Sequence, residues 1–153
     1  MVEIISTNSY AMSKLKPIHE ASRSALRKIY IPREDTVFEP LNPLKEKILV
    51  VKYGDLEVGT TRVHYYEQRL HILGLGVLDA YRRKGVCSMM IDYLQTEAIR
   101  NNMSQISLYT IRETGNVEVF SKFGFEVFLE QITDDFVSEK YDELHEVYMV
   151  LNL

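Results

Sequence analysis

The chain has 153 residues, 46% of them apolar and 26% charged, with a formal charge of −4. Such a composition suits an ordinary globular domain with a sizeable core and argues against a general nucleic-acid binder, which carries a basic excess. One cysteine, Cys87, excludes an intrachain disulfide and a CxxC metal motif. The opening MVEIISTNSYAM has no basic start and no long apolar run, and no stretch approaches the ~20 apolar residues of a membrane span. The expectation is one cytoplasmic domain, residues 1–153, with no nucleic-acid, membrane or metal partner.

Residues 2–8 read as a short strand. Pro17 suits the first turn of a helix running to Tyr30, with Ile18, Ala21, Ala25 and Ile29 along one face. Residues 31–45 hold Pro32, Pro40 and Pro43 and read as loop with one helical turn at most. Three strands follow, Lys47–Tyr53, Leu56–Glu67 and Arg69–Leu78, turned by Gly54-Asp55 and near Gln68. A helix is expected from Val86 to Arg100, because Val86, Met90, Leu94 and Ala98 repeat every fourth residue. Gln105–Ile111 reads as a buried strand, Asn116–Phe123 as a short helix, and Gly124–Glu130 and His145–Leu151 as strands. The polar, acidic Thr133–Glu143 between them reads as a mobile surface loop. Strands that alternate with helices after a meander imply a mixed sheet covered on both faces.

The most informative stretch is Arg82-Arg83-Lys84-Gly85, between a strand and a helix. Three adjacent cations repel one another unless solvent or an anion separates them. A helix start offers unpaired N–H groups and the positive end of the dipole, and a turn before it can aim several amides at a phosphate or pyrophosphate. A solvated charge run capping the helix is the plainer alternative. Walker A is absent, and Gly74-Leu-Gly76 opens a GxGxxG that fails at Asp79.

From Leu73 to Phe125 the chain resembles the GNAT superfamily of acetyl-CoA-dependent N-acetyltransferases. Arg82-Arg83-Lys84-Gly85-Val86-Cys87 matches that family's Arg/Gln-x-x-Gly-x-Gly/Ala loop, with Cys87 in the small-residue place. Phe120-Ser-Lys-Phe-Gly124-Phe125 matches its aromatic-x-x-x-Gly-Phe close. The resemblance implies an α/β (α+β) acyl-CoA N-acyltransferase fold: a mixed, mostly antiparallel central sheet of six to seven strands with helices on both faces. It implies acetyl-CoA as co-substrate, its pantetheine paired with Leu75, Gly76 and Val77 beside splayed strands. Arg82 and the amides of Arg83, Lys84, Gly85, Val86, Cys87 and Ser88 would hold the pyrophosphate, and Asn116 and Phe120 would complete the set. Three positions depart from the pattern, the first being Cys87, which is larger than Gly or Ala though still small. Phe120 stands where many members carry a tyrosine acid, and Glu113 stands where an asparagine is common, with Asn116 close by.

The reaction implied is acetyl transfer to a primary amine of a small molecule or peptide, by direct attack in a ternary complex. It needs a group to take the amine's proton. His71 is the leading candidate, since strict alternation puts His71, Leu73, Leu75 and Val77 on one face, although a bulge would break that alternation further along. His64 and Glu67 are weaker bases; Tyr109 and Tyr148 are candidate acids, and each has a plain packing reading as well. Cys87, at a helix start beside cations, is expected to have a lowered thiol pKa. The acceptor would be recognised by residues 18–45 and 131–144, where Glu34, Asp35, Asp134, Asp135 and Glu139 could attract a cation or simply face water. The alternative to catalysis is an acyl-CoA-binding or sensing module, for which Phe120 speaks. Transfer to a hydroxyl or thiol is a third reading. Members of the family are often dimers, and the apolar Val147–Leu153 would suit a homodimer interface.

Overall fold

A computed structural model describes residues 1–35 and 42–153. Its elements are β1 (Val2–Thr7), α1 (Met12–Arg27), β2 (Ile31–Pro32), β3 (Lys45–Tyr53), β4 (Leu56–Tyr65), β5 (Arg69–Val77), α2 (Val86–Arg100), β6 (Gln105–Ile111), α3 (Asn116–Ser121), β7 (Glu126–Thr133), β8 (Phe136–Val137) and β9 (Leu144–Asn152). Single 3₁₀ turns lie at Asp79–Tyr81 and Arg112–Thr114. Seven strands form one mixed sheet in the order β1-β3-β4-β5-β6-β9-β7, and β2 pairs with β8 in a small second sheet. Only the β5–β6 pair of the large sheet is parallel. This is the expected α/β architecture of mostly antiparallel strands with helices on both faces.

The two faces follow from side-chain alternation. Leu49, Val51, Val63, Leu70, Ile72, Ile106, Leu108 and Met149 pack with Val86, Met90, Ile91, Leu94 and Ala98 of α2. On the other face Leu15 and Ile18 of α1 cover Val50. The α2 helix starts at Gly85, whose φ of 79° is the left-handed conformation that glycine adopts without penalty. It stops in a Schellman turn: Asn102 has φ 58°, its N–H reaches the Ile99 carbonyl, and the Met103 N–H reaches Ala98.

Four details differ from the sequence expectation. Pro17 lies inside α1 rather than in its first turn; its missing N–H costs a helix bond, and the full burial of Leu15 and Ile18 on either side offsets that cost. Thr133–Glu143 is not a free loop, because Phe136–Val137 pairs with Ile31–Pro32 and the Ser138 hydroxyl bonds the Ile29 carbonyl. The last strand has β6 on one side and β7 on the other through Val150, so both edges of Val147–Val150 are already paired within the chain. The proposed helical turn within 31–45 falls partly on residues 36–41, outside the described residues.

The fourth difference shapes the site. β5 pairs β4 as Thr61↔Leu75 and Arg62↔Leu73, which leaves Gly74 as an extra residue. Its φ of 62° lets it take that bulged position. His71 and Leu73 therefore face the α1 side, whereas Leu75 and Val77 pack into the α2-side core. The four do not share one face.

Candidate active site

Parallel pairing of β5 with β6 ends at Ile72↔Leu108, although β5 runs on to Val77 and β6 to Ile111. Beyond that point β6 keeps its partner β9, and β5 keeps β4. The two strands thus diverge into a fork. The backbone of Leu75, Gly76 and Val77 lies along its β5 arm, with its β6-side edge unpaired among the described residues.

The basic loop lies just beyond that arm. The amides from Arg83 to Ser88 donate to no acceptor among the described residues, and the first helical bond comes from Met89 to Gly85. Arg83 (φ 63°) and Gly85 (φ 79°) are both left-handed, a geometry that gathers successive N–H groups into a concavity. For arginine that conformation costs roughly 1–2 kcal/mol. A Cβ built on Gly85 would meet nothing within 4 Å, so glycine serves the backbone there and leaves the space in front open. Arg82 pairs with Asp79 at 3.1 Å, and Lys84 lies 5.2 Å from the Tyr81 ring centre. Arg83 has no ion-pair partner among the described residues. Free amides at a helix start beside cationic side chains are the donor set a pyrophosphate would require.

At the root of the fork, on the α1 side, His71 is buried. Its Nδ1 lies 2.8 Å from the Ser107 hydroxyl, its ring stacks near Tyr148 at 6.5 Å, and Tyr109 approaches edge-on at 5.5 Å. Burial, then the charge of Arg69, pushes His71 down to about 4, so it is neutral at pH 7. Burial raises the Tyr109 pKa, with help from Tyr148 and Glu146, so its hydroxyl keeps its proton. Phe128 closes the cluster edge-on to Tyr148 at 5.9 Å. Glu146 is raised by burial and by Asp135.

Several candidates are placed elsewhere. Cys87 is packed against the α2-side core, and burial pushes its thiol up to about 11, opposite to the expected direction. Desolvation outweighs the dipole there. Glu113 is occupied, accepting the His145 N–H at 2.6 Å and pairing with His145 Nδ1 at 3.0 Å. Asn116 opens α3, and its side-chain amide bonds nothing among the described residues. Phe120 is half-buried, edge-on to Phe125 at 5.8 Å. Glu67 is exposed in the β4–β5 turn, remote from the fork. Of the acidic loops, the β2–β8 ladder draws Glu34 and Asp35 toward Asp134 and Asp135, tied by Arg33 to the carbonyls of both aspartates at 2.7 and 2.9 Å. A cleft of about 490 Å³ opens beside Asp134, Tyr141 and Asp142.

Sequence reading gave no weight to Glu46 and Ser107. Glu46 Oε2 lies 2.7 Å from His64 Nε2, and Arg62 grips the same carboxylate at 3.1 and 3.2 Å. Hydrogen bonds from Arg62 and, more weakly, His64 outweigh the opposing effect of burial and hold Glu46 below the usual carboxylate range. His64 is 2% exposed, and its Nδ1 has no partner among the described residues. Strand register was the missing signal.

The described residues thus combine a forked mixed sheet with a helix start and unspent amides beside the fork. The model of the acetyltransferase (GNAT) family matches residues 15–125, and the chain belongs to that family. It is 36% identical over 81 residues, 49% of this chain, to a Drosophila melanogaster protein named "Probable N-acetyltransferase san", of which the match covers 44%. The chain thus spans less than half the length of that relative. Among solved structures, the smu.2055 protein of Streptococcus mutans UA159 superimposes with a TM-score of 0.72 at 16% identity, over 98% of both chains. A GNAT family acetyltransferase from Elizabethkingia anophelis with acetyl-CoA bound gives 0.67 at 10% identity, over 99% of this chain and 98% of the other. At those identities the structures speak for the fold.

Proposed function

We propose that the protein is an acetyl-CoA-dependent N-acetyltransferase that acetylates a primary amine of a small molecule or peptide by direct attack in a ternary complex. The observation that carries this reading is the β5–β6 fork with the free amides of Arg83–Ser88 at its mouth. Leu75, Gly76 and Val77 offer backbone groups to the pantetheine arm, and Arg82, Arg83, Lys84 and the amides through Ser88 take the pyrophosphate. Asn116 and Phe120, on α3 after β6, would complete the cofactor contacts. When bound, acetyl-CoA supplies an activated acetyl thioester. His71, neutral and at the root of the fork, accepts the amine's proton; Tyr109, protonated and beside it, donates one to the departing sulfur.

Gly85→Glu tests the cofactor site. The carboxylate would project into the open space before the amides and repel pyrophosphate, so calorimetric titration with acetyl-CoA should show affinity falling by at least tenfold while the circular-dichroism spectrum is unchanged. Wild-type affinity in this variant would refute the site. Phe120, which has no proton to give, favours a second reading, an acyl-CoA-binding module without turnover. Thiol release from acetyl-CoA by wild type and Phe120→Tyr across primary amines separates the two. Tight binding with no release by either form supports the sensor.

A further inference from the structure

The register of four neighbouring strands lines up a polar row on the α1 side of the sheet: Glu46 opposite His64, His64 opposite His71, His71 beside Ser107. His64, His71 and Ser107 are buried, in a layer where apolar side chains would be the ordinary choice. The two ends of the row are closed by short contacts, 2.7 Å from Glu46 to His64 and 2.8 Å from His71 to Ser107. The middle is open. Because Glu46 is ionised and can only accept, His64 carries its hydrogen on Nε2, which leaves Nδ1 as a lone pair. That lone pair is buried without a partner, and leaving such a group unmet is costly unless something reaches it. Directly opposed residues of an antiparallel pair have Cβ atoms about 5 Å apart, and the residue opposite His64 on β5 is His71.

We propose that Glu46 and His64 form a proton relay behind His71, carrying to solvent the proton that acetyl transfer to an ammonium releases. This rests on the N-acetyltransferase reading. The balance is that RNH₃⁺ and acetyl-CoA give RNHAc, coenzyme A thiol and one H⁺: an N–C bond forms, the C–S bond breaks, and sulfur takes one of the two protons nitrogen loses. The second leaves by the row. His71, its Nδ1–H held by Ser107, takes it on Nε2 and passes it to Nδ1 of His64 through a bridging water. The Nε2–H of His64 moves to Glu46, whose side chain is 39% exposed and delivers it to water. Arg62 keeps Glu46 ionised between turnovers. Other charged or titratable groups around the row are Arg69 on β5, Tyr66 in the turn, His19 and Arg23 on α1, and Tyr109 and Tyr148 beyond His71.

Two measurements test the relay. In histidine side-chain ¹⁵N spectra of the free protein, His64 should show the Nε2–H tautomer, and Glu46→Gln should displace the titration of His71. A His71 signal indifferent to both Glu46→Gln and His64→Gln overturns the proposal without reference to any acceptor. Turnover is then followed by thiol release with phenylethylamine, spermidine and tetra-alanine, with acetyl-CoA affinity as the control for folding and for the cofactor site. The relay predicts that Glu46→Gln and His64→Gln each lower kcat about tenfold, that the double variant is no worse than either single one, and that imidazole restores His64→Ala. Unchanged kcat, or independent multiplicative losses without imidazole rescue, overturns it while the transferase reading stands. Tight binding with no wild-type release overturns both.

Discussion

Replacing His71 by asparagine should change how stability depends on pH, and the size of the change follows from the burial of the ring. In the folded protein its pKa is about 4, against an ordinary value of 6.5. The unfolded chain therefore binds a proton more readily. The neutral ring's contribution is fully present above pH 6.5 and is lost as pH falls toward 4, at about 1.4 kcal/mol per pH unit. Between pH 7.5 and 4.5 this one group should remove about 2.5 kcal/mol of stability. His71→Asn carries a constant penalty for lost packing but no titrating ring. Urea unfolding of both proteins, followed by circular dichroism since the chain has no tryptophan, should show the gap between them shrinking by that amount across the interval. Other carboxylates and histidines titrate in both proteins and cancel in the difference. Parallel stability curves would mean that His71 binds its proton equally well in the folded and unfolded states, and the lowering of its pKa by burial would have to be abandoned.

Three further outcomes are expected. Gly59→Ala would place a Cβ 2.6 Å from Val86 Cγ1 and 3.3 Å from Met90 Cε; pushing α2 away should cost about 1–3 kcal/mol and, because Val86 begins the helix that carries the amides, should weaken acetyl-CoA binding too. A lowered melting temperature with unaltered affinity would uncouple the two. Cys87 should react slowly with iodoacetamide at pH 7, since its thiol is pushed up to about 11; alkylation at the rate of free cysteine would contradict its packing in the core. Arg112→Ala removes the two-point contact to Glu130 at 2.6 and 2.7 Å, yet both partners are solvent-accessible, so chemical denaturation should register no more than about 1 kcal/mol.

Elements with strong periodicity were legible in the sequence. α2 and β6 have the bounds their patterns gave, because an apolar residue every fourth position and a run of buried residues each point to one structure. The basic loop stood out for a different reason: three adjacent cations before a glycine repel one another unless solvent or an anion separates them. What escaped is what depends on register. Phe136–Val137 carries no strand signal of its own and becomes a strand only by meeting Ile31–Pro32. Glu46, His64 and Ser107 lie in three segments separated by 18 and 43 positions in the chain, and neighbouring strands in register turn them into a row with His71. Cys87 was misjudged because a helix start and nearby cations can be read from sequence, whereas the direction of one side chain into the core cannot.

The bulge at Gly74 ties these features to the proposed chemistry. A strand without it would keep His71, Leu73, Leu75 and Val77 on one face, and whatever paired with Leu75–Val77 would compete with His71 for space. The extra residue turns Leu75 and Val77 into the α2-side core just where β6 departs. The backbone edge beyond the bulge is then free for an extended ligand anchored at the start of α2, while His71, Tyr109 and Tyr148 address the fork from the α1 side. A cofactor arm and an acceptor amine can enter from opposite sides and meet at the root, as direct transfer requires. The polar row leads away from that point, across β4 and β3, to the exposed carboxylate of Glu46. In the proposed reaction acetyl and proton would leave by different routes, the arrangement needed when a nucleophile must arrive as an ammonium and react as an amine.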